Sequence, residues 1–251
     1  MKTSNYWVER ALREANLTHS IDELNTELQR CYLKSYDRVE KELKRLYLEI
    51  MEAEGQVQIS HLYQYNRYYK ILNLINDESV KLGRQQQVLF DKELTGVYNY
   101  NRKLLKNDWN ILLNEAAVQE AIRTNWKGSN WSNRIWNNTT QLAEKIRENL
   151  IDAFVTGSGT EQFTRNLMND FSASYNNAHR LANTELAHCS THATLDGYVD
   201  MGVTKYKVIA EKDCCDVCSD LANQIFDITD DSGLVPDNSH PNCRCSIVAV
   251  N

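Results

Sequence analysis

Proline is almost missing from this chain of 251 residues: Pro236 and Pro241 are the only two, and both lie near its C-terminal end. Glycine is sparse as well, with Gly55, Gly83 and Gly96 alone before Gly128. A stretch so poor in breakers reads as mostly helix. No run of about 18 apolar residues occurs, so no membrane-spanning helix is expected. The net charge of −6 argues against a protein that coats nucleic acid without sequence preference. Phenylalanine is scarce (5) beside 13 tyrosines and 5 tryptophans. Amphipathic aromatics suit protein–protein surfaces, and they serve helix cores equally well. The opening segment, MKTSNYWVERALREAN, lacks an apolar h-region, so no secretory leader is expected.

What the chain does have is cysteine in one place: five of its seven fall between Cys214 and Cys245. Two clusters share an i, i+3 spacing: Cys215-Asp216-Val217-Cys218, and His240-Pro241-Asn242-Cys243 followed by Arg244-Cys245. A tight turn with that spacing aims two soft ligands at one point, and two such turns make a tetrahedral N/S site for zinc. Neighbouring Cys214 and Cys215 do not suit one ion. The candidate ligands are therefore Cys215, Cys218, His240 and Cys243, with Cys245 as the substitute. Metal binding free energy would then stand in for a core in a segment with few bulky apolar residues. Two rival readings stay open. One is disulfides in an oxidising compartment; the other is a small β-turn module in which His240 and Cys245 only pack or hydrogen-bond. Cytosolic synthesis favours reduced thiols, and so zinc.

Before the clusters the pattern is helical. Ser4 can cap a short helix through Asn16, with Trp7, Val8 and Leu12 on one side. Ser20 opens a second helix, with Glu23 completing a capping box. Ile21, Leu24, Leu28, Tyr32, Tyr36, Val39, Leu43, Leu46 and Ile50 then recur at steps of three or four, a coiled-coil-like stripe that Gly55 ends. Such a helix serves either as an assembly-facing rod or as one member of an antiparallel bundle. Residues 59–126 continue in helical style, with Ser60 as a cap, Tyr63, Tyr65, Tyr68 and Tyr69 crowded together, and Gly83 and Gly96 as breaks or bends. Leu104, Leu105, Trp109, Leu112, Leu113 and Val118 form a further amphipathic run.

Trp126 to Ser132 reads as a turn, and Ser132 as the cap of a helix bearing Ile135, Leu142, Ile146 and Leu150. Residues 121–150 carry five basic and two acidic side chains; with Trp126, Trp131 and Trp136 they read either as a nucleic-acid contact or, better for so small an excess, as a solvated helix face with tryptophans packed inward. Gly157-Ser158-Gly159-Thr160 is a loop without the lysine of a phosphate-binding loop, which excludes that mode of nucleotide binding. Helices follow from Thr160 to Asp170 and from Ser174 to Asp200, stopped by Gly202. Tyr206, Val208 and Ala210 alternate with Lys205, Lys207 and Ile209 as in a strand, and residues 246–250 read as another. Residues 211–237 hold eight acidic side chains and one lysine, which repels phosphate backbones. Asp227, Asp230 and Asp231 lack EF-hand spacing and read as a solvated loop.

Taken in order, these features resemble the Mu F-like domain of tailed-phage minor head proteins, also called head morphogenesis proteins. The likeness runs through Trp126 to Trp136, Gly157-Ser158, Thr184-Glu185, Lys205 to Ala210, Cys215 with Cys218, and His240 to Cys245. Asn5-Tyr6-Trp7 and the helix after Ser20 look like the start of such proteins from phages of Gram-positive hosts. Asn183 stands where the family signature has arginine, with Arg180 one turn away. Asn223 replaces a turn glycine, and asparagine tolerates positive φ.

The resemblance implies a mainly α protein: an elongated helical N-terminal domain (1–125) and a Mu F-like C-terminal domain (126–251). The latter would hold helices over 132–200 and a small α+β module with the Cys/His cluster over 203–251. It implies a structural role in head assembly or DNA packaging and delivery; zinc, from the ligand spacing, is the structural cofactor expected. The partners it implies are the portal protein and the capsid and scaffolding proteins, with phage DNA as an open further partner and no membrane. The place it implies is the capsid interior at the portal vertex, after synthesis in the host cytoplasm. The alternative is a zinc-dependent nuclease-like enzyme. Such an enzyme needs three ligands, an open position and a base, for which Glu211 or Asp213 would serve. Four good ligands make a closed structural site the better reading, with no catalytic residue assigned. His188 and Cys189 are adjacent on a helix and point about 100° apart, so they do not make a nucleophile–base pair.

Overall fold

The computed structural model describes residues 3–55, 58–107 and 113–250, without the side chains of residues 3–7 and 65. Trp109 and Leu112, and the side chains of Ser4, Asn5, Tyr6, Trp7 and Tyr65, lie outside the described residues. Among the described residues six α-helices come first: α1 (Thr3–Glu54), α2 (Ile59–Tyr63), α3 (Arg67–Lys106), α4 (Glu115–Ile122), α5 (Trp131–Thr156) and α6 (Thr160–Asp200). Then follow β1 (Lys205–Ile209), α7 (Asp216–Ala222), β2 (Ile225–Asp227) and β3 (Ser246–Val250). The chain divides into two compact units, one of Met1–Asn25, Leu89–Trp131 and Arg180–Asn251, the other of Thr26–Val88 and Ser132–His179. The dividing points fall inside α1, α3 and α6 and at the start of α5.

Local cap signals overstated the number of helices. α1 is one helix of 52 residues, and Ser20, expected to open a second, is buried within it. No glycine or proline separates Asn16 from Ser20, so continuing the helix costs less than stopping it. Val8 and Leu12 are exposed rather than on a packed side. Likewise α6 runs unbroken through Asp170 to Ser174, because Phe171 keeps the apolar period and is buried. Ser60 lies inside α2, whose N-cap is Gln58. Ser132 is the second residue of α5.

In the unit of Thr26–Val88 and Ser132–His179, the α1 stripe is buried at Leu28, Tyr32, Val39, Leu43, Leu46 and Ile50. The Tyr32 hydroxyl lies 3.0 Å from Ser174 Oγ and accepts from Asn138 Nδ2 at 3.0 Å. Gly83 does not break α3. A Cβ there would stand 2.5 Å from the Trp136 ring, so the glycine lets the indole lie against the α3 backbone. Gly96 is also mid-helix and meets nothing within 4 Å.

In the other unit Asn107, at φ 50°, ends α3, and Asn114 caps α4 by accepting from the Ala116 and Ala117 amides. Phe90 stacks on buried Trp131 with centroids 5.8 Å apart, and the indole donates to the Ile122 carbonyl at 2.8 Å. α6 ends in a Schellman motif around Gly202 (φ 73°): Val203 N–H reaches Tyr198 O at 3.0 Å and Gly202 N–H reaches Val199 O at 3.0 Å. The sheet that follows is antiparallel, in the order β2-β1-β3, with Tyr206 opposite both Phe226 and Ala249. β2 is an addition to the two expected strands.

The terminal module packs on an apolar core. Tyr206, Val208, Phe226, Leu234, Val235 and Ile247 are buried together with Leu195 and Tyr198 of α6 and Leu105 of α3. The expectation that metal must replace a core is therefore corrected. Read alone, the segment after Gly202 looks too polar; its missing apolar partners come from helices earlier in the chain. Gly197 permits this, since a Cβ there would meet Leu105 at 2.6 Å.

Candidate metal centre

Cys215 is the N-cap of α7, and its sulfur accepts from the Cys218 amide at 3.5 Å. The first i, i+3 pair therefore sits on a helix start rather than in an open turn. Asn223 ends α7 at φ −86°, so the positive φ allowed for it is not used. The second pair is a turn as expected: Asn242 takes φ 64° and the Cys243 amide donates to His240 O at 3.3 Å.

The two segments meet. Cys218 and Cys243 are buried with their sulfurs 3.5 Å apart. Ligand atoms of Cys215, Cys218 and His240 lie within 4.8 Å of one another, and so do those of Cys218, Cys243 and Cys245. Cys218 belongs to both groups. Two sulfurs on one tetrahedral zinc stand about 3.8 Å apart, so the Cys218–Cys243 spacing fits a shared ion with little movement. All seven cysteines are free thiols. Cys214 stands outside both groups, half-buried against the module core.

The electrostatics suit a cation. The Cys245 thiol's hydrogen bond lowers the Cys243 thiol, which favours its thiolate form. Burial pushes Cys218 up to about 12, and the Cys218 amide lowers Cys215. His240 Nδ1 lies 2.8 Å from the Pro241 carbonyl. A proton on Nδ1 donated there leaves Nε2 with its lone pair, the usual state of a metal-bound imidazole. Of the bases considered for an enzyme, Glu211 is engaged by Arg10 Nη2 at 2.7 Å.

The Thr184-Glu185 pair ties α6 to this centre. Thr184 Oγ1 accepts from the Asn242 amide at 3.1 Å, holding the ligand turn, and Glu185 accepts from Trp126 Nε1 at 2.9 Å. Asn183 Oδ1 accepts from Asn25 Nδ2 at 2.9 Å. Cys189 points away, its thiol donating to Leu94 O at 3.3 Å.

Residues 144–248 match the family model of Phage Mu protein F like proteins. They form a Mu F-like domain. The match covers the C-terminal half of α5, all of α6 and the sheet module up to Val248, including every candidate ligand. No curated protein and no solved structure matches the chain. The likeness is to a family of phage head morphogenesis proteins. Among the described residues no helix is long and apolar enough to cross a membrane.

A second cluster in the Mu F-like domain escaped the sequence reading. His188 Nδ1 and His192 Nε2 lie 2.7 and 2.9 Å from the two oxygens of Asp237. Burial opposes ionisation, but hydrogen bonds with both histidines hold the Asp237 carboxyl well below the usual carboxylate range. The i, i+4 histidine spacing on a helix was the available signal. Asp237, 45 residues further on, had none.

Proposed function

We propose that this chain is a minor head protein of a tailed phage, built into the capsid interior at the portal vertex, where it assists head assembly and DNA packaging or delivery. The observation that carries the reading is the match of residues 144–248 to the Mu F family. On this reading the portal protein and the capsid and scaffolding proteins are its partners, and α1 is an arm for assembly contacts. Exposed Leu33 and Leu48 on α1 are apolar positions available for such contacts.

Within this role the cysteine centre holds one structural zinc through Cys215, Cys218, His240 and Cys243, with Cys245 as the alternative ligand. The ion's task is to lock α7 and the 240–243 turn together under the α6 signature pair. Support comes from the donor set and from the convergence on Cys218. The test of the assembly role is co-expression with the portal and scaffolding proteins of the same phage. The chain should co-purify with the portal ring and enter procapsids. Procapsids that assemble normally and exclude it would refute the assignment.

A further inference from the structure

His188 and His192 stand one turn apart on α6, and Asp237 meets both from the loop between Gly233 and Ser246. We propose that these three side chains form a second metal site, open on one side, for a divalent ion of the zinc class. It shares no ligand with the sulfur cluster.

The donor set comes first. Two imidazoles and one carboxylate suit zinc, cobalt, nickel or iron(II) and are poor hosts for soft monovalent ions. Their ligand atoms lie within 4.8 Å of one another. Two ligands of one such ion stand about 3 Å apart. The present separations of 2.7 and 2.9 Å are therefore a near fit. Each neutral ring carries one proton, so the ion takes the nitrogen facing Asp237 from the tautomer that holds that proton on the other ring nitrogen.

The ligands are also held in place. The His188 ring stacks on Trp126 with centroids 4.2 Å apart and planes 4° from parallel. Trp126 is in turn fixed by its bond to buried Glu185. Asp237 rides on a loop closed by Asn238, whose amide reaches Leu234 O at 2.9 Å and whose side chain reaches Asp231 O at 2.6 Å. A clasp between loop and helix would need one histidine. Here two converge, each on a different oxygen of the same carboxylate.

Finally, one side is open. His192 is 35 % and Asp237 20 % exposed, so an ion can enter. Beside them lies a pocket of about 340 Å³ bordered by Lys127, Ser232 and Asn238. Three protein ligands with a free fourth side describe a site whose last position is taken by water or an exchangeable oxyanion.

The experiment loads the full-length chain with cobalt(II) and counts bound ions in the unaltered protein, His192→Ala, Asp237→Asn and Cys218→Ser. The expected result is one ion lost in His192→Ala and in Asp237→Asn but retained in Cys218→Ser. In the unaltered chain that ion adds visible cobalt absorption without sulfur-to-cobalt charge transfer, a readout that stands even if a variant misfolds. Equal ion counts in folded unaltered and His192→Ala protein would overturn the site. So would an unaltered chain whose bound cobalt is all thiolate-ligated. Failure of the cysteine centre would appear separately, as an absence of charge transfer.

Discussion

The sulfur of Cys218 lies 3.5 Å from that of Cys243, across 25 residues of sequence. This contact joins the start of α7 to the turn before β3. Removing it by Cys218→Ala should release the sulfur-bound ion. The module keeps its apolar core around Tyr206 and Phe226, so loosening is expected rather than collapse. Limited proteolysis should cut after Gly202 at least several-fold faster, while far-ultraviolet circular dichroism of the long helices is kept. Unchanged protease resistance would contradict the clamp.

Thr184→Val removes the acceptor for the Asn242 amide while keeping the side chain's shape. A hydrogen bond of this kind contributes about 0.5–1.5 kcal/mol net. The variant should hold zinc roughly ten-fold more weakly at the upper end of that range, measured by competition with a chelator. The unaltered affinity would show that the turn does not depend on α6.

Gly83 and Gly96 should respond in opposite directions. Gly83→Ala drives a methyl into the Trp136 ring, now 2.5 Å from the Cβ position, and should cost about 1–3 kcal/mol. Gly96→Ala meets nothing within 4 Å in the same helix and should stabilise by about 0.5–1 kcal/mol. Urea unfolding of the two variants measures both.

That pair also shows what the sequence could reveal. A glycine in a helical run looks the same whether it marks a bend or makes room for an indole, because the indole's position is a tertiary fact. Ser20 and Ser174 carried cap chemistry but lacked a breaker beside them, and the helices ran on. Gly202 was legible as a stop because positive φ and the end of the apolar period coincide there. The cysteine spacing pointed to two segments that the fold brings together. The polar look of the module hid its core, since Leu105, Leu195 and Tyr198 are supplied from far upstream. The three residues of β2 were too few to carry a period.

Burial pushes the Tyr32 hydroxyl up to about 12. Between the ordinary tyrosine value, about 10, and that raised value the unfolded chain loses the proton while the folded chain keeps it. The unfolded state then binds fewer protons, so stability falls as pH rises through this window. Urea midpoints taken from pH 10 to 12 should decline, and less steeply in Tyr32→Phe. Parallel slopes would place the alkaline loss elsewhere.

X-ray absorption at the zinc edge of the purified chain tests the central claim most directly. The account predicts sulfur scattering at about 2.3 Å, weakened in Cys218→Ser. A zinc shell of nitrogen and oxygen alone, or protein with every thiol reactive and no zinc, would contradict it.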